Sequence, residues 1–266
     1  MFGEIYRFGS STKTCRACSE LDFISRDYEG AIFHNFCKDM ISQLPRVNIS
    51  LEKIMNLCYN CHENKKMESK IMQKSFSILF VGNSYTYFND MPKTYFQKAA
   101  EEAGYNVTVT AITQGGAYLH QYADPEHERG KLLRREISEK KYDVAVIQEQ
   151  SLNPIKDKED FFGGVRDLKA LIDADHFVLY ATWGRNVGSS TLEELALTCE
   201  EMTEQLSLAY NNAAKRYDMR VAEVGKVFLD YEPRNDLYHE DHSHPSAIGS
   251  SIAARVIWKT VRSCLG

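Results

Sequence analysis

The chain is predicted to be an α/β protein built on a parallel sheet, with a small cysteine-rich module ahead of it. Three observations carry that prediction. From residue 75 onward, short runs rich in β-branched residues alternate with longer segments of helical periodicity, the pattern of strands joined by crossover helices. The first run, Ile78-Leu79-Phe80-Val81, is apolar without interruption, as a buried strand requires. Five of the seven cysteines, Cys15, Cys18, Cys37, Cys58 and Cys61, fall in the first quarter, and the polar, charged stretch 62–74 separates them from that strand. The boundaries are therefore 1–70 for the cysteine-rich module and 75–266 for the α/β domain.

In order, strands are expected over 77–81, 107–113, 143–148, 176–181 and 220–224. Asn89-Asp90 followed by Pro92 starts a helix, because the first turn tolerates proline's missing N–H, and Gly104 closes it. Met202, Leu206, Ala209, Tyr210 and Ala213 recur at helical spacing and define a long amphipathic helix before the last strand. A final helix begins near Ala247, with Ile252, Ala253, Val256 and Ile257 on its inner face. Five strands with intervening helices make a flavodoxin-like three-layer sandwich.

A chain of 266 residues is long enough to bury a large core, and 43% hydrophobic with 26% charged residues is the composition of a soluble globular protein. A net charge of -5 without a basic cluster argues against nucleic acid as a partner, since phosphate binding needs a concentrated basic surface. No segment approaches the roughly 20 apolar residues of a spanning helix, and the opening residues carry no apolar core of signal-peptide length. A cytoplasmic location without a membrane partner is expected, and there cysteines are thiols or metal ligands rather than disulfides.

The chemistry is concentrated at two places. Ser84 follows the first strand in Gly82-Asn83-Ser84, at the carboxyl end where open α/β sheets build their sites. Asp241 and His244 are spaced so that one loop or helical turn presents both. A serine hydroxyl is a weak nucleophile until a histidine takes its proton and a carboxylate fixes that histidine's tautomer. An ordinary turn serine is the competing reading of Ser84. The segment His239-Glu240-Asp241-His242-Ser243-His244 also has the composition of a divalent-metal site, although a metal leaves Gly82-Asn83-Ser84 unexplained. In an extended segment His242 and His244 would point the same way. Tyr85, Tyr87, Phe88 and Tyr118 either line a pocket or pack, and Trp183 and Arg185 stand at the same end of the sheet.

These blocks and their order resemble the SGNH, or GDSL-like, hydrolase superfamily from about Ser75 to the end of the chain. The resemblance implies the strand order 2-1-3-4-5, Ser84 as nucleophile, and Asp241 and His244 as the Asp-x-x-His pair. It implies an oxyanion hole made by the N–H of Ser84, a glycine N–H from Gln114-Gly115-Gly116-Ala117, taken as Gly116 rather than Gly115, and a side-chain amide after the third strand. There the chain departs from the family, with Gln148-Glu149-Gln150-Ser151-Leu152-Asn153 and no Gly-x-Asn. A glutamine amide donates the same hydrogen bond, so Gln148 is the expected donor, with Gln150 and Asn153 as alternates. The implied activity is hydrolysis of a small-molecule ester with a short acyl group, such as an acetyl on a carbohydrate or related metabolite, without a cofactor for catalysis. The alternatives are an acyltransferase using the same triad, and a catalytically weak binding or regulatory protein docking through the N-terminal module.

In that module, Cys15-x-x-Cys18 and Cys58-x-x-Cys61 supply four thiolates for one structural zinc, which would stabilise a segment of about 70 residues with a small core. Cys37 and His34 are further candidate ligands, and buried free thiols are the alternative. Cys58-Tyr59-Asn60-Cys61-His62 also matches the c-type haem attachment pattern, which requires export. The sequence names no protein partner for this module.

Overall fold

A computed structural model describes residues 75–266. Strands β1 (Ser75–Gly82), β2 (Asn106–Thr113), β3 (Tyr142–Ile147), β4 (Ala174–Ala181) and β5 (Arg220–Glu223) form one sheet in the order β2-β1-β3-β4-β5. Every pair is parallel. The helices between and after them are α1 (Ser84–Tyr87), α2 (Gln97–Glu102), α3 (Leu119–Ala123), α4 (Glu128–Ile137), α5 (Asn153–Lys156), α6 (Lys158–Leu171), α7 (Ser190–Leu195), α8 (Cys199–Tyr217), α9 (Val224–Asp230) and α10 (Ala247–Leu265). The predicted strands and their order are those observed. The cysteine-rich module 1–70, with Cys15, Cys18, Cys58 and Cys61 and the zinc expectation, lies outside the described residues.

Because side chains alternate across a strand, the buried run of β1 feeds both layers at once. Ile78 and Phe80 join Val144, Val146, Val178 and Tyr180 against Phe96, Phe228 of α9 and Ile257 of α10. Leu79 and Val81 join Ala145, Ile147 and Leu179 against α3, α4, α6 and α8, through Tyr122, Leu133, Phe161 and Tyr210. Each large apolar side chain so buried contributes roughly 1.5–3 kcal/mol.

The helix expected from Asn89-Asp90 and Pro92 is present, and the last helix buries a wider stripe than expected. Asp90 is the N-cap of the helix expected there, and Asn89 and Asp90 both take left-handed φ values, of 56° and 52°. The Asn89 amide donates to Pro245 O at 3.1 Å and to Ser250 Oγ at 2.9 Å, tying this turn to the far end of the chain. Pro92 then sits in the first turn of a π-helical segment, Met91–Phe96, that runs into α2. In α10 the buried stripe is Ala253, Ala254, Ile257, Trp258 and Val261, while Ile252 and Val256 are half-buried. Trp258 is received edge-on by Phe96 and Tyr105, so the stripe that holds the expected Ala253 and Ile257 widens towards it. Among the described residues no helix is long and apolar enough to cross a membrane.

Candidate active site

The register brings three strand ends to one level: Gly82 pairs with Thr113, and Val81 with Ile147. Strand order reverses at β1, so the loops after β1, β2 and β3 diverge around a crevice, the usual place for a site in an open sheet.

Gly82 lets the chain turn there. A Cβ at this position would lie 2.6 Å from Thr86 Oγ1 and 2.8 Å from Gln148 Oε1, so a side chain there would displace both hydrogen-bonded groups. Asn83 caps α1, its Oδ1 accepting from Tyr85 N at 3.1 Å, and its Nδ2 donates to Ala117 O at 3.0 Å. One side chain thus fixes both the serine turn and the glycine loop after β2. Ser84 follows as the first, half-buried residue of α1.

His244 arrives on a loop that closes on itself. His239 N donates to His244 O at 2.8 Å, His242 N donates to His239 O at 3.0 Å, and Tyr238 bridges to Pro245. Asp241 Oδ1 accepts from the backbone N–H groups of Ser243 and His244 at 3.0 and 2.9 Å. Desolvation raises the Asp241 pKa, but the hydrogen bonds from the His244 ring, His244 N and Ser243 N outweigh it and hold the carboxyl at about 2. Ionised, it only accepts, so His244 Nδ1 donates to Asp241 Oδ2 at 2.6 Å. Nε2 of the neutral ring then accepts from Ser84 Oγ at 2.7 Å. Phe88 stacks on the imidazole at 4.7 Å and 16°. This relay can take a proton from the serine as its oxygen forms a new bond.

The neighbouring histidine is separated by backbone conformation. His242 is left-handed at φ 59°, so the segment is a turn rather than extended, and its ring lies beside Gly188. Among the described residues no group of three or more His, Cys, Asp or Glu side chains is gathered to hold a metal ion, against the metal reading of 239–244. Tyr85 is packing: it stacks on Trp183 at 4.9 Å, Trp183 stacks on Phe228 at 4.2 Å, and Trp183 Nε1 holds Ser243 O at 3.1 Å. Tyr87 is exposed, and Tyr118 is half-buried at the start of α3.

Gly116 has φ 64°, a left-handed value that favours glycine, in a turn closed by Ala117 N donating to Gln114 O. The amide expected from Gln148 is engaged elsewhere. Its Oε1 accepts from Asn83 N at 3.0 Å and Thr86 Oγ1 at 2.8 Å, and its Nε2 donates to Glu149 O. Gln148 therefore holds the serine turn and is not the free donor. Asn153 is likewise engaged, with Nδ2 on Asp160 Oδ2 at 2.8 Å. In Gln150 the geometry is reversed: Oε1 accepts from Leu152 N at 2.7 Å and Asn153 N at 3.1 Å, which orients the amide and leaves Nε2 without a protein acceptor among the described residues. The N–H groups of Ser84 and Gly116 are likewise without one among those residues.

Sequence reasoning missed Glu149, which is wholly buried. Its carboxyl accepts from Leu119 N at 3.2 Å and Gln150 N at 2.5 Å, joining the loops after β2 and β3. Burial pushes its pKa up from 4.5 to about 8, against the pull of those N–H groups. The native state thus keeps a proton that the unfolded chain releases near 4.5, so this group makes stability fall as pH rises to about 8, by on the order of 1.4 kcal/mol per unit of pKa separation. Glu149→Gln is expected to remove that slope. Thermal melts at pH 5 and pH 8 measure it, and equal losses in both proteins would refute the assignment.

No protein-family model matches the chain, and no curated protein matches it. Among solved structures, it is similar to a candidate SGNH hydrolase from Slackia heliotrinireducens at 29% identity, with a TM-score of 0.61 over 70% of this chain and 99% of that one. A lipase/acylhydrolase from Enterococcus faecalis is similar at 14% identity with a TM-score of 0.53, covering 71% and 96% of the two chains. A carbohydrate acetylesterase family member from Sinorhizobium meliloti is similar at 17% identity with a TM-score of 0.50, covering 72% and 99%. The chain has the three-layer fold of the SGNH hydrolases.

Proposed function

We propose that this chain is a serine esterase that removes a small acyl group, such as acetyl, from a carbohydrate or related metabolite through a covalent acyl-enzyme. The observation that carries the reading is the continuous chain from Ser84 Oγ to His244 Nε2 at 2.7 Å and from His244 Nδ1 to Asp241 Oδ2 at 2.6 Å. The likeness to a candidate SGNH hydrolase at 29% identity supports the same chemistry.

In the first half-reaction Ser84 Oγ bonds to the ester carbonyl carbon while its proton passes to His244 Nε2. The bond to the alcohol oxygen then breaks, and the same proton leaves on that oxygen. In the second half-reaction water gives a proton to Nε2 as its oxygen adds to the acyl carbon, and the acid departs as Ser84 regains its proton. Asp241 holds the tautomer and stabilises the imidazolium. The N–H groups of Ser84 and Gly116 and the Nε2 amide of Gln150 receive the developing oxyanion.

A fluorophosphonate probe is expected to add to Ser84 in the wild type and to leave Ser84→Ala unmodified, read by intact mass and peptide mapping. Equal labelling of both proteins, or labelling at another serine, would overturn the nucleophile.

A further inference from the structure

Arg185 stands in the loop after β4 and is buried to 9% exposure. Its Nη2 donates to Ser151 Oγ at 2.9 Å, its Nη1 donates to Ser243 Oγ, and its guanidinium carbon lies 5.3 Å from the centre of the Tyr85 ring. Each of these residues is the chain neighbour of a group at the candidate site: Tyr85 of Ser84, Ser243 of His244, and Ser151 of Gln150. The cation is therefore held one residue away from the nucleophile, the base and the amide donor.

All of its direct partners are neutral. Among the described residues no ion pair includes Arg185. The carboxylate whose field reaches it, Asp241, is engaged with His244. Burial lowers the Arg185 pKa to about 10, which leaves it cationic at neutral pH. Removing a charge from water is costly unless a counter-charge follows it, and an aromatic face with two hydroxyls returns only part of that cost. The planar guanidinium fork matches a carboxylate or phosphate, and the two serines occupy only part of it.

We propose that the site takes esters carrying a carboxylate or similar oxyanion close to the scissile carbonyl, with Arg185 as the counter-ion. This rests on the esterase reading above. It selects, within small acyl esters, the negatively charged ones over their neutral isosteres.

The test uses two matched pairs with the full chain. With charge on the alcohol side, 3-acetoxybenzoate is compared with 3-acetoxybenzamide. With charge on the acyl side, mono(4-nitrophenyl) fumarate is compared with 4-nitrophenyl crotonate, the trans double bond preventing intramolecular attack. After normalisation to hydroxide rates, kcat/KM in the wild type is expected to favour the charged member of at least one pair by about tenfold or more. In Arg185→Gln that ratio falls to about one, and Arg185→Lys retains part of it. Flat ratios in both wild-type pairs, or a ratio unchanged in Arg185→Gln, overturn the proposal and leave the arginine as a tie between loops. Should Arg185→Gln fail to fold, the wild-type ratios and Arg185→Lys decide. If no ester turns over and the fluorophosphonate leaves Ser84 unmodified, the esterase reading fails. The anion site is then judged on binding: a rise in Tm with fumarate and not fumaramide supports it, and no difference overturns it.

Discussion

Ser84→Ala and His244→Ala are each expected to lower ester turnover by on the order of 10,000- to 1,000,000-fold, and the double variant to fall no further. Independent contributions would multiply, but here the hydroxyl and the imidazole share one proton across 2.7 Å. With either partner gone, the other has nothing to activate or nothing to accept from, so the second substitution removes a group already idle. Steady-state rates on 4-nitrophenyl acetate measure the effect, with circular dichroism to show that the sheet persists. Losses that add in the double variant would mean that the two residues act separately.

Gln150→Ala is expected to cost about 100- to 1,000-fold in kcat, with little change in KM and an unchanged Tm, because its donor meets charge that develops only in the transition state. Gln148→Ala is expected to act on stability instead. It strips Asn83 N and Thr86 Oγ1 of their acceptor, and a buried donor left unpaired costs roughly 1–3 kcal/mol. The pair separates cleanly only with both readouts, kcat and thermal melting. A Gln148→Ala protein that keeps its Tm but loses turnover would restore Gln148 as the oxyanion donor.

The choice between these two glutamines shows where the sequence was legible and where it was not. The sheet could be read because β1 is buried on both faces, which leaves an unbroken apolar run, and because the later strands are set off by helical periods. Ser84, Asp241 and His244 could be singled out because each lies in a short local block. Strand alternation also held a usable signal for Gln148: it has the parity of Val144 and Val146, so its side chain continues into the layer that packs beneath α1. Reading it as a free donor ignored that parity. Glu149 has the opposite parity, that of Ala145 and Ile147, which turns it into the other buried layer, but its partners there, Leu119 N and Tyr210 OH, which accepts from Glu149 N, are remote in the chain. In α10, Ala253 and Ile257 are buried as their spacing predicts, and Trp258 joins them because the remote Phe96 and Tyr105 receive its ring.

The loop from Tyr238 to Pro245 carries the imidazole and the carboxylate together, while the serine arrives on a separate element. Positional tolerance is thereby gathered into a single joint, the one between Ser84 and His244. The Asn89 amide spans that joint from outside, from the turn just beyond α1 to Pro245 and Ser250. A small shift between these two elements, which pack in the same layer, changes the reach from hydroxyl to ring and leaves the ring's tautomer as it was. The proton's destination is thus insulated from such shifts, and only its time of departure depends on them.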